Sequence, residues 1–272
     1  MMQGVRARPR LAFGASIVPG ERALPEEVAV ALTFNGSTQA VMMATPDHLI
    51  DFAYGFALTE GLADPSEIES VEPVDTGKGL DLQLWVTPAA EARLKHRRRV
   101  MAGPVGCGLC GIDSLEQALR ELPPVPHGAF RLTPSQVMAA VQALPGQQRL
   151  HDATRAAHAA GFWDGQRMLA LREDVGRHNA LDKLAGAMAM GRIGDVAPSR
   201  GAVVLTSRVS IDLVQKVAAM GVPCLIAVSS PTADAVDLAD QLGVTLIAQA
   251  RADGFEAFTH TDRIETEPKH VR

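Results

Sequence analysis

The chain has 272 residues, of which 47% are hydrophobic and 21% charged, so it can bury the core of one large domain or two ordinary ones. Its net charge of -5 argues against a general nucleic-acid binder. No stretch approaches the roughly 18 apolar residues of a membrane span. Three cysteines without a targeting segment favour the reducing cytoplasm.

The N-terminal region is predicted to contain a β-hairpin. Residues 1–26 are basic and contain three prolines, so we expect an irregular, flexible arm. Two apolar, β-prone runs at 28–34 and 38–44 flank Asn35 and Gly36. An Asn-Gly pair between such runs is the strongest short-range signal of a hairpin turn. The two runs are therefore predicted to be paired strands.

A helix and a second hairpin are predicted next. Thr45 is suited to cap the helix and Pro46 to occupy its first position. Apolar and polar residues alternate toward the end of the stretch 70–86, which indicates a hairpin with one buried face. Another helix follows and ends in the basic run 95–99. The first interpretation of this run is a solvated helix end, where cations favour the helix macrodipole.

The second half of the chain alternates between helices and strands. A proline-rich segment at 123–128 is interpreted as a linker. It divides the chain into an N-terminal β-hairpin and helix region, 1–127, which ends in a Cys-x-x-Cys loop, and an α/β domain, 128–272. After a capped helix and a third hairpin, the predicted helices are 176–190, 210–220 and 232–242, and the predicted strands are 202–206, 223–228 and 244–248. This order predicts parallel strands in a three-layer, cytidine-deaminase-like fold, with a frayed tail after residue 260.

Two of the three cysteines, Cys107 and Cys110, are separated by two residues in a glycine-rich loop. The glycines leave little bulk around the sulfurs and permit unusual backbone dihedrals. A helix start follows the loop and the basic run precedes it, and both favour the thiolate, the form that attacks and carries sulfur. The loop therefore predicts an accessible, activated thiol pair on a mobile segment.

Metal-site interpretations of these cysteines fit poorly. A structural zinc site needs a second cysteine pair or two suitably spaced histidines, but Cys224 lies in an apolar strand, and His96 and His127 lack that spacing. A zinc deaminase needs His-x-Glu and Pro-Cys-x-x-Cys. The stretches that begin at His178 and Cys224 lack the glutamate and the second cysteine. We therefore assign no metal ligand within one chain, and a zinc site shared across a dimer and a thioredoxin-type redox pair stay open as alternatives.

The densest polar stretch of the chain is 172–183. It lies where a predicted strand ends and a helix begins, the place where open α/β sheets bind ligands. The helix start offers free N–H groups, and the guanidinium groups of Arg172 and Arg177 suit phosphate or carboxylate. With His178 and Asn179, these residues form the first part of a candidate anion site.

A structural interpretation of the same stretch is also open, with Asp174 as a cap and Asp182 paired with a neighbouring basic residue. A second polar turn, which contains Ser207 and Arg208, follows the next strand. Two adjacent polar turns would line one crevice, and a phosphate-rich ligand suits such a crevice.

Three motifs together resemble the FdhD family of sulfur carrier proteins, which are needed for formate dehydrogenase activity. They are the cysteine loop 107–111, the polar stretch 172–183 and the turn 206–210. The resemblance extends over about residues 27–260.

The resemblance implies a mechanism. A cysteine desulfurase would pass sulfane sulfur to Cys107 as a persulfide, with Cys110 assisting or resolving. The carrier would then deliver the sulfur to the molybdenum or tungsten bis-guanine-dinucleotide cofactor of formate dehydrogenase, a cargo and not a cofactor of its own. Similar proteins are homodimers, so the resemblance also implies a homodimer. The family's cofactor-binding segment corresponds to residues just after the last predicted strand, namely Gln249, Ala250, Arg251, Ala252, Asp253 and Gly254.

The chain departs from the family pattern at two places. Thr154, Arg155 and Ala156 stand where the family commonly has Thr-Gly-Gly, and Arg251 stands in place of a lysine. From the residues alone, sulfur transfer and thiol-disulfide exchange are nearly equal hypotheses. A cofactor chaperone without covalent chemistry is the third hypothesis. The resemblance favours sulfur transfer.

Overall fold

A computed structural model describes residues 3–101 and 121–265, with side chains in the first range described up to residue 96. In these ranges the strands form three sheets of two, four and six strands. No helix in the described ranges is long and apolar enough to cross a membrane.

The two-stranded sheet is an N-terminal hairpin of β1 (Val5–Phe13) and β2 (Ile17–Pro25). The expectation of an irregular arm was therefore wrong. The reason is a period-2 pattern that the prolines obscured, because apolar residues such as Leu11 and Phe13 alternate with arginines along β1. Nearly the whole hairpin is exposed, and 76% of the Phe13 surface is accessible.

The four-stranded sheet confirms both predicted hairpins. Its strands are β3 (Val28–Phe34), β4 (Ser37–Ala44), β5 (Ile68–Asp75) and β6 (Leu80–Val86), in the order β4-β3-β6-β5. The helices α1 (Leu49–Thr59) and α2 (Pro88–Met101) belong to the same unit, and the apolar side chains of α1 and of the first turns of α2 share a hydrophobic core with one face of the sheet. We call this unit the N-terminal lobe.

The predicted start of α1 was wrong by several residues. The helix begins at Leu49, after His48 in the left-handed conformation with φ 51°. Thr45 does not cap it, because the Thr45 backbone N–H donates to Asp174 Oδ2 at 3.0 Å and its hydroxyl oxygen accepts from the Val175 N–H at 3.2 Å. These distant partners cannot be read from the local sequence.

The six-stranded sheet forms the C-terminal lobe. Its strands are β7 (His158–Trp163), β8 (Met168–Asp174), β9 (Ala202–Leu205), β10 (Cys224–Ala227), β11 (Thr245–Arg251) and β12 (Gly254–Ala257), in the order β12-β11-β10-β9-β7-β8. The three strands β9, β10 and β11 are parallel, as predicted, while β7, β8 and β12 pair antiparallel to their neighbours. The additional strand β12 was not predicted, because its four residues carry too little pattern.

Helices cover both faces of this sheet, so the predicted three-layer α/β architecture is confirmed. The helices α5 (Arg177–Ala189), α6 (Ile211–Ala219) and α7 (Ala233–Gln241) share one apolar core with the sheet. The helix α3 (Pro134–Gln142) shares a second core on the other face, and the short helix α4 (Arg149–Thr154) follows it. Strand residues such as Val203 and Val204 are fully buried on opposite faces, as a covered sheet requires.

The segment 121–128 has no regular structure, in line with a linker, but Val125 is buried and its N–H donates to Leu242 O at 2.8 Å. A domain boundary at residue 127 stays a prediction. The chain after residue 260 is ordered as far as residue 265, against expectation. Arg263 is buried there and donates to Gly243 O at 2.8 Å, and Ile264 pairs with Leu132.

Candidate functional site

The two lobes are joined where α1 and α5 cross in backbone contact. A methyl group built on Gly55 would overlap the carbonyl oxygen of Asp182, and one built on Gly186 would overlap that of Asp51. Each added carbon would also lie 2.8 Å from the backbone nitrogen of the opposite glycine. Only glycine permits so close an approach, so the crossing fixes one lobe against the other.

The carboxylate of Asp174 is the centre of a buried network at this junction. Its Oδ2 accepts from Lys183 Nζ at 2.6 Å and from the Thr45 N–H, and its Oδ1 accepts from the Gly176 N–H at 2.8 Å and from Asn179 Nδ2 at 3.0 Å. Asp174 and Lys183 are fully buried. The interpretation of Asp174 as a helix cap is thus wrong, because Gly176 is the N-cap of α5 without a side-chain cap hydrogen bond and Asp174 instead joins the lobes through this network.

Two predicted site residues are engaged in the same junction. Arg172 Nε donates to Oδ2 of the fully buried Asp51 at 2.7 Å. Asn179 Nδ2 also donates to Met43 O at 2.8 Å. These contacts tie the start of α5 and the end of β8 to the N-terminal lobe, so the structure gives Arg172 and Asn179 a joining role.

A second buried charge cluster surrounds Lys216 of α6. Its Nζ lies 2.9 Å from Asp182 Oδ1, 2.6 Å from Glu60 Oε1 and 3.0 Å from Thr59 Oγ1. Burial disfavours the ammonium, but the facing carboxylates of Asp182 and Glu60 outweigh it and raise the pKa of Lys216. The predicted ion pair of Asp182 exists, with a partner 34 residues away along the chain.

The other predicted polar turns meet at the carboxyl edge of the six-stranded sheet. Arg177 and His178 begin α5, and the imidazole of His178 contacts the carboxylate of Asp212 in the first turn of α6. Burial opposes ionisation of Asp212, yet the His178 contact lowers the pKa of this carboxyl well below its usual range. Ser207 is buried and Arg208 is exposed in the turn between β9 and α6. The two turns thus lie close together, but Arg177, His178, Ser207 and Arg208 do not line the cavity at this edge.

A cavity of about 640 Å³ opens at this edge. Its wall includes residues that follow β8, β9 and β10, residues that precede β7, and residues of α3, α4 and the connection between them. They are Val141, Leu144, Pro145, Gln148, His151, Arg155, Ala156, Ala157, His158, Val175, Thr206 and Val228. None of these described residues is acidic, and one side is apolar. Such a cavity suits an anion that carries a flat or apolar part.

His158 faces a crowded cationic environment at the start of β7. Burial lowers the pKa of His158, and the charge of Arg177 and the nearby His151 and His178 lower it further. Arg177 has a buried Nε without a hydrogen-bond partner among the described residues. The guanidinium of Arg177 thus lies near His158 at this edge, where it favours an anionic ligand.

The segment 249–254 was predicted to follow the last strand. It instead spans the end of β11 and the turn into β12. Gln249 has φ 51°, its N–H donates to Ser229 O at 3.2 Å, and its side chain contacts the Ser230 hydroxyl. Ala250 is fully buried, whereas Arg251, Ala252 and Asp253 are exposed, and Gly254 has φ 149°.

One contact links this segment to the cavity. Arg251 Nε lies 3.4 Å from Val228 O, and Val228 lines the cavity wall. The first half of the segment thus borders the cavity.

Cys107 and Cys110 lie outside the described residues. Cys224, the third cysteine, is buried, and burial raises the pKa of its thiol to about 12, so it is a poor nucleophile. Within the described ranges, no group of three or more His, Cys, Asp or Glu side chains is arranged to hold a metal ion.

The architecture and this edge define a three-layer α/β protein with a basic cavity beside its helix starts. Residues 25–265 match the model of the FdhD/NarQ family, and the chain belongs to this family.

Two similar proteins carry the same name. The chain is 52% identical over 247 residues to the "Sulfur carrier protein FdhD" of Agrobacterium fabrum, which covers 90% of each chain. It is 48% identical to the protein of the same name from Bordetella bronchiseptica, over 88% of this chain and 86% of the relative.

A solved structure from Desulfotalea psychrophila has the same fold. It is provisionally described as a formate dehydrogenase accessory protein, and it superposes with a TM-score of 0.73 at 22% identity, covering 96% of this chain and 99% of that one. At this identity, the likeness concerns the fold alone.

The part of the cavity wall that α4 supplies was not predicted from the sequence. His151, Arg155 and His158 are three basic residues within eight positions, the first in α4, the second at its end and the third in β7. This spacing was the available signal. The helix is only six residues long, and nothing in its sequence shows which way it faces.

The depressed pKa of His158 predicts a pH dependence of stability. In the unfolded chain His158 is protonated with the ordinary pKa of 6.5, whereas in the folded chain its pKa is lower. Just below pH 6.5 the unfolded state therefore binds more protons. The free energy of unfolding is therefore expected to fall from about pH 7 to about pH 5.5. When the free energy of unfolding is measured in urea across this range, its slope against pH should be shallower for His158→Gln than for the wild type. An unchanged slope would contradict this assignment. His48, whose pKa is lowered by burial as well, contributes in the same direction.

Proposed function

We propose that this chain is a sulfur carrier that serves formate dehydrogenase, with Cys107 as the carrier thiol. The observation that supports it most is the Cys107 and Cys110 pair in a chain that shares 52% identity with a protein named sulfur carrier. The name FdhD and the description of the Desulfotalea psychrophila protein point to formate dehydrogenase as the enzyme served.

The loading step is a simple exchange at sulfur. The Cys107 thiolate attacks the outer sulfur of a persulfide on a cysteine desulfurase, the sulfur–sulfur bond of the donor breaks, and the donor leaves as a thiolate. The outer sulfur keeps its proton and becomes the persulfide of Cys107, so no oxidant or reductant is needed. The basic run before the loop and the helix start predicted after it support a thiolate at this position.

The sulfur acceptor in this proposal is a molybdenum or tungsten bis-guanine-dinucleotide cofactor, held as a substrate at the carboxyl edge of the six-stranded sheet. Support comes from the cavity of about 640 Å³, whose described wall carries His151, Arg155 and His158 and no carboxylate. The neighbouring Arg177 and the exposed Arg208 and Arg251 add positive charge suited to phosphate groups. The apolar part of the wall suits a guanine ring.

The remaining parts of the proposal concern assembly and location. We place the carrier in the cytoplasm, where thiols stay reduced, and as a homodimer, as its family resemblance implies. The net charge of -5 supports protein and cofactor partners in preference to nucleic acid.

Sulfur loading of single-cysteine variants tests the proposal. After incubation with a cysteine desulfurase and free cysteine, intact-mass spectrometry is expected to show an added sulfur on the wild type and on Cys110→Ala, and none on Cys107→Ala. Cys224→Ala is the matched control, since this buried thiol has a pKa of about 12 and should not accept sulfur. Loading should therefore persist in that variant.

Two outcomes would replace the proposal with the alternatives. Equal loss of activity in both loop variants, together with a reversible disulfide in the wild type, would indicate a thiol-disulfide oxidoreductase. Formate dehydrogenase maturation that survives removal of both loop cysteines would indicate a cofactor chaperone without covalent chemistry.

A further inference from the structure

The cavity wall has an uneven charge distribution. Its described lining contains three basic residues, His151, Arg155 and His158, and no acidic one. The pKa of His158 is lowered by burial, so this histidine is neutral at pH 7. Arginine stays protonated at every physiological pH. Arg155 is thus the one permanent cation among the described lining residues.

Arg155 occupies a costly backbone conformation. It ends α4 with φ 59° and ψ 23°, in the left-handed region. Glycine, or sometimes asparagine, normally takes this position at a helix end, because a Cβ atom is unfavourable there. The Arg155 N–H still donates to His151 O at 2.6 Å, as a helix end requires. A glycine would adopt this conformation at lower energy, so backbone conformation does not explain why an arginine is present here.

The short helix that carries Arg155 is held firmly at its start. The carboxylate of Glu173 on β8 accepts from the backbone N–H groups of Leu150 and His151, each at 2.8 Å. At the other end, Thr154 Oγ1 donates to Leu150 O at 2.7 Å. These contacts fix the orientation of α4, so His151 and Arg155 are presented together at the cavity.

The guanidinium of Arg155 is available to a ligand. Its nearest carboxylate is Asp152, at 3.5 Å between Nη1 and Oδ1, and both side chains are more than half exposed. Exposed ion pairs of this kind contribute little, so a phosphate group competes with Asp152 at small cost. A guanidinium can also bind two phosphate oxygens at once. No carboxylate among the described lining residues would repel that phosphate.

We propose that Arg155 sets the charge preference of the cavity by binding the pyrophosphate of the guanine nucleotide. This inference rests on the proposed function, which places such a nucleotide here. The cavity then binds a diphosphate more tightly than a monophosphate, and a monophosphate more tightly than the neutral nucleoside. The backbone strain at Arg155 is the cost of placing a permanent cation at this point of the wall.

Calorimetric titration with GDP, GMP and guanosine tests the inference on the full chain. Arg155→Gly is expected to weaken GDP binding about tenfold or more, the usual size of a hydrogen bond to a charged group, and to change guanosine binding little. Arg155→Lys keeps the positive charge but loses the planar guanidinium, so its GDP affinity should lie between those of the wild type and Arg155→Gly. Arg167→Gly, which removes an exposed arginine from the hairpin turn at the opposite edge of the sheet, should bind GDP as the wild type does.

Thermal unfolding separates a binding role from a structural one. Glycine relieves the left-handed strain, so Arg155→Gly should unfold at the same temperature as the wild type or higher while it binds GDP more weakly. Weaker binding accompanied by a lower unfolding temperature would overturn the inference, as would unchanged GDP affinity in a wild-type-like protein. If the wild type itself fails to bind GDP, the nucleotide part of the proposed function fails before Arg155 is tested.

Discussion

Replacing Gly186 by alanine is expected to destabilise the protein by at least about 3 kcal/mol, because the new methyl group has no free space. It would overlap the Asp51 carbonyl on α1, and that carbonyl is backbone and cannot rotate away. The two helices must move apart, which also disturbs the ion pairs of Asp51 with Arg172 and Arg192 beside the crossing. Thermal unfolding should show a midpoint roughly 6–12 °C lower, or the variant should fail to accumulate as soluble protein.

Gly55→Ala tests the same crossing from the other helix and should have an effect of similar size, since its methyl group would overlap the Asp182 carbonyl. Gly146→Ala is the matched control, because a methyl group there meets no atom within 4 Å. A Gly186→Ala variant as stable as Gly146→Ala would show that the helices do not meet as described.

Removing the carboxylate of Asp174 is expected to cost about 3–5 kcal/mol, the usual penalty for breaking a buried ion pair from one side. Among the described residues, Asp174→Ala leaves the fully buried ammonium of Lys183 with the Thr45 carbonyl at 2.9 Å as its one remaining partner. It also removes the acceptor for the N–H groups of Thr45 and Gly176. Urea unfolding measures the loss, with exposed Asp195→Ala as the control for the loss of a carboxylate.

A double variant distinguishes the ion pair from its hydrogen bonds. Asp174→Ala with Lys183→Met removes both charges and should be more stable than Asp174→Ala alone, because no uncompensated ammonium remains buried. The double variant should still fall short of the wild type, since the backbone donors stay unpaired. If the double variant is less stable than Asp174→Ala alone, Lys183 contributes independently of Asp174 and the buried-pair description is wrong.

The sequence predicted the C-terminal lobe well because its signals are local. Apolar runs such as 202–206 and 223–228, and the helical pattern between them, are each defined by residues within a few positions of one another. The same holds for the Asn35 and Gly36 hairpin. The failures concern partners far apart in the chain. Thr45 resembles a helix cap in its local context, but Asp174, 129 residues later, takes its N–H.

The candidate site was predictable in outline and not in detail. A polar stretch after a strand correctly indicated the carboxyl edge of the sheet, where Arg177 and His178 lie. The sequence could not show that Arg172 and Asn179, in the same stretch, turn toward the N-terminal lobe, because their partners Asp51 and Met43 belong to it. Arg155 was visible only as a departure from the family pattern, because its place in the cavity wall depends on a backbone dihedral and on the facing of a short helix.

The N-terminal hairpin is a suitable place to attach a label to the protein. None of the residues of β1 or β2 belongs to the three hydrophobic cores of the described chain, and the family match begins only at residue 25. The turn at Gly14, Ala15 and Ser16 is exposed at the end of the ribbon opposite Val5 and Pro25. A fluorophore or affinity label on a cysteine introduced at Ala15 would therefore report on encounters with other macromolecules without disturbing either lobe.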